Sequence, residues 1–455
     1  MSTATAAGPK DSPPVLKKTT VQCCDCEREH TAEIYEDDNS VLCKIACPQK
    51  EKTVVLSNDA ALWKAVCEKS YFDPGLKTGI SGSNRGIRLY RLEITNACNF
   101  HCPICYANAG NASGKTKNFF LDVKTAEEIA QFLRKEGAKE TAFSGGEPTL
   151  HPELETIIAV FKKAGIRTAV LTNGIRIAQE KGYAQRLKKS GLRRAYIQFD
   201  TLNAAVHKKM RGNSFVEEKK QALLNCRKAK IKTSAIAVII KDNLNETGAL
   251  LEYMKTLVPW FGEIFFITAV REAGRFDLPW DSFVYKEEII KSLIKTSGIK
   301  GISTNSFYPF PLYRPFGLNI HPGCNVILPV VFINGRTELL ENYVNIKKFY
   351  RLLSREPYTK NTFIAGFKAI LFFLVSLNIK KIPALLRILF CYLTKLGGAY
   401  INYVLIESFL TRDFQDLECL NNCGSYHAGP GGNICSSCIY NQDYKNSHPW
   451  TRYSQ

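Results

Sequence analysis

The chain has 455 residues and a formal net charge of +19, from 61 Lys and Arg against 42 Asp and Glu. This length allows two or three domains with a large core, and the charge favours an anionic partner such as an acidic redox protein or a lipid surface. No nucleic acid is expected, because no zinc-finger helix or base-stacking motif accompanies the basic residues.

The 16 cysteines are predicted to be reduced thiols in a cytoplasmic protein, because no secretory signal segment opens the sequence. Clustered thiols of this kind are typical metal ligands. Residues 1–18 are rich in Pro, Ala and Lys and are predicted to be a disordered lead.

Residues 19–72 are predicted to form a small Cys-rich domain. Two cysteine-bearing segments about twenty residues apart predict one four-thiolate metal site. The predicted ligands are Cys23, Cys26, Cys43 and Cys47. Sulfur ligation alone does not choose between a structural zinc and a rubredoxin-like redox iron.

Residues 80–300 are predicted to repeat a strand–helix unit on a parallel sheet, because short apolar runs alternate with helical patterns from residue 88 to residue 267. The six predicted strands are Arg88–Thr95, Glu140–Ser144, Arg167–Thr172, Arg194–Phe199, Lys232–Ile240 and Glu263–Val270. Thr125 and Glu128 form a capping-box pattern that predicts a helix start. Pro152 and Gly165 delimit a second predicted helix.

A loop after the first predicted strand carries Cys98, Cys102 and Cys105 within eight residues. Three thiolates at this spacing are expected to hold three irons of a 4Fe-4S cubane and to leave the fourth iron open for a ligand. A zinc site is the alternative, but zinc sites usually pair two such arms at a distance. His101, inside the loop, is expected to pack rather than to ligate.

This Cys-x3-Cys-x2-Cys loop, followed by Ser144-Gly-Gly-Glu-Pro148, resembles the signature of radical S-adenosylmethionine (SAM) enzymes. The resemblance implies a partial, TIM-like (β/α)6 barrel with both loops at the carboxyl ends of strands. It also implies that a reduced cluster cleaves SAM to a 5'-deoxyadenosyl radical. The electron would come from a low-potential donor such as ferredoxin or flavodoxin.

The resemblance further implies a set of SAM contacts. They are Tyr106, Gly145, Gly146, Glu147, Asn173, Gln198 and Asp200. Gly145 and Gly146 would let the backbone approach the cofactor, and Glu147 would accept a hydrogen bond from the methionine ammonium group. Tyr106 would pack on adenine, with a place in the core as the alternative. The later residues would contact carboxylate and ribose, with an ordinary turn as the alternative.

Residues 301–455 are predicted to form a C-terminal domain with a second metal site. Its candidate ligands are Cys324, Cys419, Cys423, Cys435 and Cys438. The pattern resembles an auxiliary 4Fe-4S cluster held by Cys324, Cys423, Cys438 and one of Cys419 or Cys435, with zinc as the alternative. A fully ligated cluster would relay electrons and would not bind SAM.

An apolar segment, residues 363–410, is predicted to be helical, but its uncharged runs are about half the ~20 residues needed to cross a bilayer. In one interpretation it forms amphipathic helices that line a groove for lipid chains, with Lys380, Lys381 and Arg387 near anionic head groups. The enzyme would then lie peripherally at the inner membrane surface. In the other interpretation these helices are ordinary core.

The whole layout, through a late Cys followed by Tyr440-Asn441, is similar to the archaeal tetraether lipid synthases and to methyltransferases acting on methanopterin precursors. The first resemblance implies modification or joining of lipid alkyl chains, and the second implies methylation of a pterin-like molecule. That family continues its Cys-Pro with His-Gly, where this chain has Lys50-Glu51, which is why Cys43 enters the predicted ligand set. A peptide-modifying radical enzyme and a non-enzymatic iron–sulfur electron carrier are further alternatives.

Overall fold

Two sheets organise the residues that the structure, a computed structural model, describes: 13–70, 89–110, 118–270, 274–310, 321–356, 361–394 and 399–440. One is a five-stranded antiparallel sheet of mainly N-terminal residues, and the other has twelve strands with a parallel centre. Strands and helices are numbered separately in chain order.

The N-terminal sheet has the strand order β17-β1-β2-β3-β4, in which the edge strand β17 is the late segment Gln415–Asp416. Its early elements are β1 (Val15–Gln22), β2 (Glu29–Asp37), β3 (Ser40–Ile45), β4 (Lys52–Ser57) and α1 (Ala60–Cys67). The predicted disordered lead overlaps this sheet, because β1 begins at Val15 and Lys18 lies opposite Glu33 on β2. Residues 1–12 of that lead lie outside the described residues.

The centre of the large sheet is the predicted six-stranded parallel unit. The elements of this part of the chain are β5 (Leu89–Thr95), β6 (Ile104–Cys105), α2 (Val123–Lys135), β7 (Glu140–Gly145), α3 (Leu154–Lys163), β8 (Arg167–Thr172), α4 (Ile175–Gln179), α5 (Tyr183–Ser190), β9 (Leu192–Gln198), α6 (Ala204–Arg211), α7 (Val216–Lys228), β10 (Lys232–Ile239), α8 (Thr247–Lys255), β11 (Phe261–Thr268), β12 (Arg275–Phe276) and α9 (Lys286–Thr296). The short strands β6 and β12 pair with each other in a separate antiparallel sheet. Strands β5, β7, β8, β9, β10 and β11 pair in that order, all parallel. The α/β barrel prediction is confirmed.

Two helix starts differ from their sequence signals. The capping-box pattern predicts Thr125 as the N-cap residue, but the N-cap of α2 is Asp122, three residues earlier, whose side chain accepts a hydrogen bond from the Thr125 amide at 2.8 Å. Helix α3 begins at Leu154, inside the predicted limits of Pro152 and Gly165. Helical periodicity therefore locates these helices, whereas the cap depends on which polar side chain reaches the free amides.

The C-terminal residues extend the sheet at both edges. Their elements are β13 (Tyr308–Pro309), β14 (Asn325–Ile333), β15 (Arg336–Leu339), α10 (Ile346–Arg355), α11 (Thr362–Val375), α12 (Ile382–Thr394), β16 (Tyr400–Glu407), β17 (Gln415–Asp416), α13 (Leu417–Asn421), β18 (Ser425–Ala428), β19 (Ile434–Ser436) and α14 (Ser437–Ile439). Strand β16 pairs parallel with β11 at one edge, and β18 pairs parallel with β5 at the other. The C-terminal region is therefore continuous with the barrel sheet.

The apolar segment predicted to be helical over residues 363–410 contains two helices and then a strand. Its last part, Tyr400–Glu407, is β16, inserted between β11 and β14. A short apolar run rich in Ile, Val and Tyr fits a buried strand as well as a helix, and only its pairing partners decide. None of the helices in the described ranges is long and apolar enough to span a membrane.

Candidate active site and metal centres

The three-cysteine loop follows the carboxyl end of β5. Cys98, Cys102 and Cys105 lie on the wall of one cavity of about 200 Å³. Arg275 Nη1 fixes the loop by donating to the carbonyl of Cys102 at 3.0 Å. Burial raises the pKa of Cys98 to about 12 and also raises that of Cys102, so these thiols ionise when a metal replaces their protons. The donor set fits a 4Fe-4S cluster with one iron open.

The Gly-Gly-Glu loop after β7 packs directly against the backbone of the cysteine loop. The Gly146 amide donates to the carbonyl of Thr95, and the Glu147 amide donates to the carbonyl of Ala97, both at 2.7 Å. A Cβ at Gly145 would lie 2.0 Å from the Thr95 carbonyl oxygen, and one at Gly146 would lie 2.1 Å from that of Ala97. The contact between the two loops therefore requires glycine at both positions.

Glu147 is held in one orientation on the cavity wall. Its carboxylate accepts hydrogen bonds of 2.6 Å each from Thr149 Oγ1, Thr172 Oγ1 and the Asn173 amide. The side chain is buried. A fixed, buried carboxylate at this position is suited to receive an ammonium group.

The remaining wall residues include most of the predicted SAM contacts: Tyr106, Gly145, Gly146, Asn173 and Gln198. A lysine that the sequence did not single out links two of them. Lys219 Nζ, on α7, donates to the Asn173 carbonyl at 2.5 Å and to Gln198 Oε1 at 2.6 Å. It is fully buried, and burial lowers its pKa to about 7. Lys219 itself does not line the cavity, and through these two hydrogen bonds it positions Asn173 and Gln198, which do.

Asp200 does not face the cavity, which corrects its predicted role as a SAM contact. Its side chain is fully buried, and both carboxylate oxygens accept hydrogen bonds from Arg211, at 2.7 and 2.8 Å. Arg211 in turn lines the cavity and donates to the carbonyl of Ile104 in the cysteine loop at 3.1 Å. Asp200 therefore positions Arg211. No sequence motif links Asp200 with Arg211. They meet because α6, which ends at Arg211, folds back beside Asp200.

The second cysteine group lines a neighbouring cavity of about 370 Å³. Its four cysteines are Cys324, Cys419, Cys423 and Cys438. The sulfurs of Cys324 and Cys419 lie 2.7 Å apart, and burial raises the pKa of Cys423 to about 12. Four convergent thiols fit a fully ligated 4Fe-4S cluster.

Of the two residues left open for the fourth position, the structure brings Cys419 into the group. Cys435 lies on β19 and is not among the residues that line this cavity. Its sulfur instead contacts the carbonyl oxygen of Ser436 at 3.4 Å. The two cavities are adjacent, since Arg91, Tyr196 and Phe409 line both.

The N-terminal group combines three cysteines with a histidine. The donor atoms of Cys23, Cys26, His30 and Cys47 all lie within 4.8 Å of one another. Cys26 Sγ is 2.9 Å from His30 Nε2 and 3.8 Å from Cys47 Sγ. The backbone amide of Lys50 lowers the pKa of Cys47. This group can bind one tetrahedral metal ion.

Cys43, predicted as the fourth ligand, lies elsewhere. It is on β3, where Val41, Cys43 and Ile45 alternate along the strand and therefore face the same side. All three side chains are buried in the N-terminal core. His30 supplies the fourth donor instead. The spacing Cys23-x2-Cys26-x3-His30 is the sequence signal that indicates it.

A parallel α/β barrel with an open three-cysteine loop defines a SAM-dependent iron–sulfur enzyme. The sequence family described as the "Radical SAM superfamily" matches residues 92–254. A protein of Methanococcus maripaludis strain C5 named "Probable GTP 3',8-cyclase" is 30% identical over 214 residues, which cover 46% of this chain and 68% of that protein. The chain belongs to the radical SAM superfamily.

A second relative matches more of the chain. It is the 7,8-dihydro-6-hydroxymethylpterin dimethyltransferase of Methanocaldococcus jannaschii, 28% identical over 334 residues. The match covers 66% of this chain and 63% of that protein, less than two thirds of its length. The crystal structure of Streptococcus suis SuiB bound to S-adenosylmethionine overlaps 46% of this chain and 47% of its own, with a TM-score of 0.40 and 15% identity.

Proposed function

We propose that this radical SAM enzyme abstracts hydrogen from an unactivated carbon of a lipid alkyl chain and so modifies or joins such chains. The observation that carries the proposal is the apolar wall of the cavity beside the cysteine loop. Beyond the predicted SAM contacts, this wall is built mainly from Phe100, Ile104, Leu171, Ile236, Val238, Ile267 and Phe409. Each methylene group of a bound chain that leaves water for such a wall gains about 0.8 kcal/mol.

The cavity also lies next to a larger cavity with many apolar lining residues. This larger cavity of about 320 Å³ lies between the N-terminal sheet and the barrel, and it shares Thr268, Ala269, Val270 and Phe409 with the first. Its apolar lining residues include Leu16, Ile34, Val55, Leu56, Trp63, Phe283, Leu410 and Phe414. The same wall also carries the charged or titratable groups of Lys17, Lys286, Glu287, His321 and Asp416. Two adjacent cavities with large apolar areas suit a long hydrocarbon with a polar end better than a compact heterocycle, whose polar edges would lose hydrogen bonds to water against the apolar parts.

Each part of the site has a separate task in this proposal. The three loop cysteines hold the cluster, while Glu147, Asn173 and Gln198 orient the cofactor, and the apolar wall excludes water from the reacting carbon. When bound, SAM and the cluster supply a one-electron cleavage that delivers a carbon-centred radical. A low-potential ferredoxin or flavodoxin would supply the electron, and the net charge of +19 suits docking of such an acidic protein.

A pterin-like small molecule is the second candidate substrate. It is favoured by the M. jannaschii relative, whose name states a dimethyltransferase acting on a hydroxymethylpterin. Arg91, Tyr196 and Gln198 supply polar groups on the cavity wall that a heterocycle would use. We rank this candidate second because apolar side chains outnumber polar ones on the cavity wall.

An isotope experiment distinguishes the two candidate substrates by tracing the hydrogen atom that is abstracted from the substrate into 5'-deoxyadenosine. The enzyme is reconstituted anaerobically with iron, sulfide, dithionite and SAM, then given either a deuterated-chain lipid or a deuterated pterin. We expect deuterium in 5'-deoxyadenosine with the lipid, because the abstracted atom is retained in that product. Deuterium from the pterin and none from the lipid would replace the first candidate by the second.

A pair of wall variants sharpens the test. Phe409→Asp places a charge where the two cavities meet, so we expect lipid-dependent turnover to fall by at least roughly 10-fold, which corresponds to about 1.4 kcal/mol. Phe409→Leu keeps the wall apolar and should retain most activity. Uncoupled SAM cleavage without substrate should persist in both variants, which shows that the cluster site is intact.

A further inference from the structure

Helices α11 and α12 are apolar on both faces. Their inner faces pack on the C-terminal strands through Phe373, Ile388 and Cys391, in a cluster with Val331 and Tyr400. Their outer faces carry apolar side chains that are exposed: Phe363, Ile364, Phe367, Ile370, Leu371, Leu374 and Val375 on α11, Ile379 in the turn, and Ile382, Leu386, Leu389 and Phe390 on α12. We call this outer surface the hairpin face.

The hairpin face differs from the rest of the described surface. Of the 17 exposed large hydrophobic side chains among the described residues, 12 lie on it, with Phe363 82% and Ile379 79% exposed. A surface helix normally turns polar residues toward water. Such a concentration of exposed apolar side chains on two successive helices marks a site of interaction with another apolar surface.

The charged residues within this segment of the sequence are all of one sign. From residue 357 through residue 406 the sequence has no Asp or Glu and six cations: Lys360, Lys368, Lys380, Lys381, Arg387 and Lys395. Lys380 and Lys381 are exposed in the turn that joins α11 to α12. Lys368 pairs with Glu356, just outside the segment, and Arg387 hydrogen-bonds Asn334. Apolar residues flanked by cations complement a surface with an apolar interior and anionic head groups.

We infer that the hairpin face docks the enzyme on an anionic lipid bilayer, with α11 and α12 lying in the interface rather than spanning it. The helices have 14 and 13 residues and so are about 21 and 20 Å long. The hydrocarbon core is about 30 Å thick. An interfacial helix instead buries its apolar face at the boundary of head groups and acyl chains, and its lysines extend to the phosphates.

A second copy of the chain fits the face less well. A two-fold symmetric contact places the same patch against itself, which would bring Lys380 and Lys381 toward their own counterparts. Between residues 357 and 406 no acidic side chain is present to pair with them. The inference does not rest on the substrate, since an enzyme acting on a pterin could dock in the same way.

Vesicle flotation tests the docking directly. The 455-residue protein is mixed with vesicles of phosphatidylcholine containing about 30% phosphatidylglycerol, or of phosphatidylcholine alone, and floated on a density gradient. We expect flotation with the anionic vesicles and much less with the neutral ones. Raising NaCl from about 0.05 M to about 1 M shortens the Debye length to ~3 Å and should release the protein. Wild-type protein that stays at the bottom of the gradient with both vesicles would overturn the proposal.

Three exposed-residue variants and one control locate the surface. Phe367→Asp with Leu371→Asp, and Leu386→Asp with Leu389→Asp, should each abolish flotation. Lys380→Glu with Lys381→Glu should weaken anionic-vesicle binding by at least about 25-fold, from roughly 5-fold for each lost cation. Leu224→Asp, at an exposed apolar residue of α7, should float like the wild type.

Folding and self-association are checked on the same samples. Uncoupled 5'-deoxyadenosine formation should be unchanged in every variant, because none alters the cysteine loop or its cavity. Variants that keep this activity and still float would overturn the inference. A wild-type dimer in solution that the aspartate variants convert to a monomer would assign the face to a second copy instead.

Discussion

The radical SAM loop and the predicted auxiliary cluster site differ in how their cysteines are distributed along the chain. Cys98, Cys102 and Cys105 lie in one loop after β5, whereas the auxiliary ligands are separated by up to 114 residues, from Cys324 to Cys438. Cys324 directly precedes β14, on the β11 side of the sheet, while Cys423 precedes β18, on the β5 side. The loop site is a local feature, and the auxiliary site joins the two edges of the sheet.

The local site should fail completely when one ligand is removed. Cys102→Ala leaves two thiolates for three irons, so we expect no SAM-binding cluster and no detectable 5'-deoxyadenosine. Iron content should fall from roughly eight to about four atoms per chain, because the auxiliary ligands are untouched. Product formation and iron content are measured on the same anaerobic preparation. Undiminished 5'-deoxyadenosine would show that the cluster is held elsewhere.

The distant site should fail without stopping SAM cleavage. Cys438→Ala should also lower iron content by about four atoms per chain, while uncoupled 5'-deoxyadenosine formation continues. Because this site joins both edges of the sheet, we also expect a lower melting temperature than in Cys102→Ala. Cys435→Ala is the matched control and should change neither quantity. Loss of iron in Cys435→Ala would return Cys435 to the ligand set.

The same contrast explains what the sequence could predict. All six parallel strands were predicted within two residues at each end, because their signals are short apolar runs set between helices. The three-cysteine loop could be recognised from the sequence because its three cysteines lie within eight residues. Strand β16 was predicted to be helical, since its place between β11 and β14 depends on partners far away in the sequence.

The site contacts that the sequence did not indicate also join residues that are separated along the chain. Asp200 was predicted to contact SAM, but the position of Arg211 on α6 turns it into a buried partner. Lys219 carries no motif at all and is recognised only by its contacts with Asn173 and Gln198. The choice of Cys419 over Cys435 likewise depends on how β18 and β19 pair. Spacing identifies ligand candidates, and topology selects among them.

The N-terminal site lies between the two extremes, with three donors in one segment and a fourth at Cys47. We expect its metal to be zinc, because a Cys3His set is typical of structural zinc, whereas a rubredoxin iron has four thiolates. His30→Ala should reduce bound zinc from about one atom per chain to well below one. Cys43→Ala removes a core thiol and should leave zinc unchanged. Metal analysis that finds iron in the wild type, or zinc loss in Cys43→Ala, would contradict this assignment.

The smallest expected effect concerns Lys219, which reaches the radical site from α7. Lys219→Met keeps the apolar length of the side chain but removes the donor to the Asn173 carbonyl and Gln198 Oε1. If those residues orient SAM, its KM should rise roughly 10-fold, about 1.4 kcal/mol, with a smaller change in kcat. Lys220→Met, the next residue and paired with Glu217, is the control and should leave both constants unaltered. A Lys219→Met enzyme with lower kcat and unchanged KM would mean that Lys219 does not act through SAM binding. Asn173 and Gln198 would then lose their main support as cofactor contacts, and the local cysteine loop would bind SAM without help from α7.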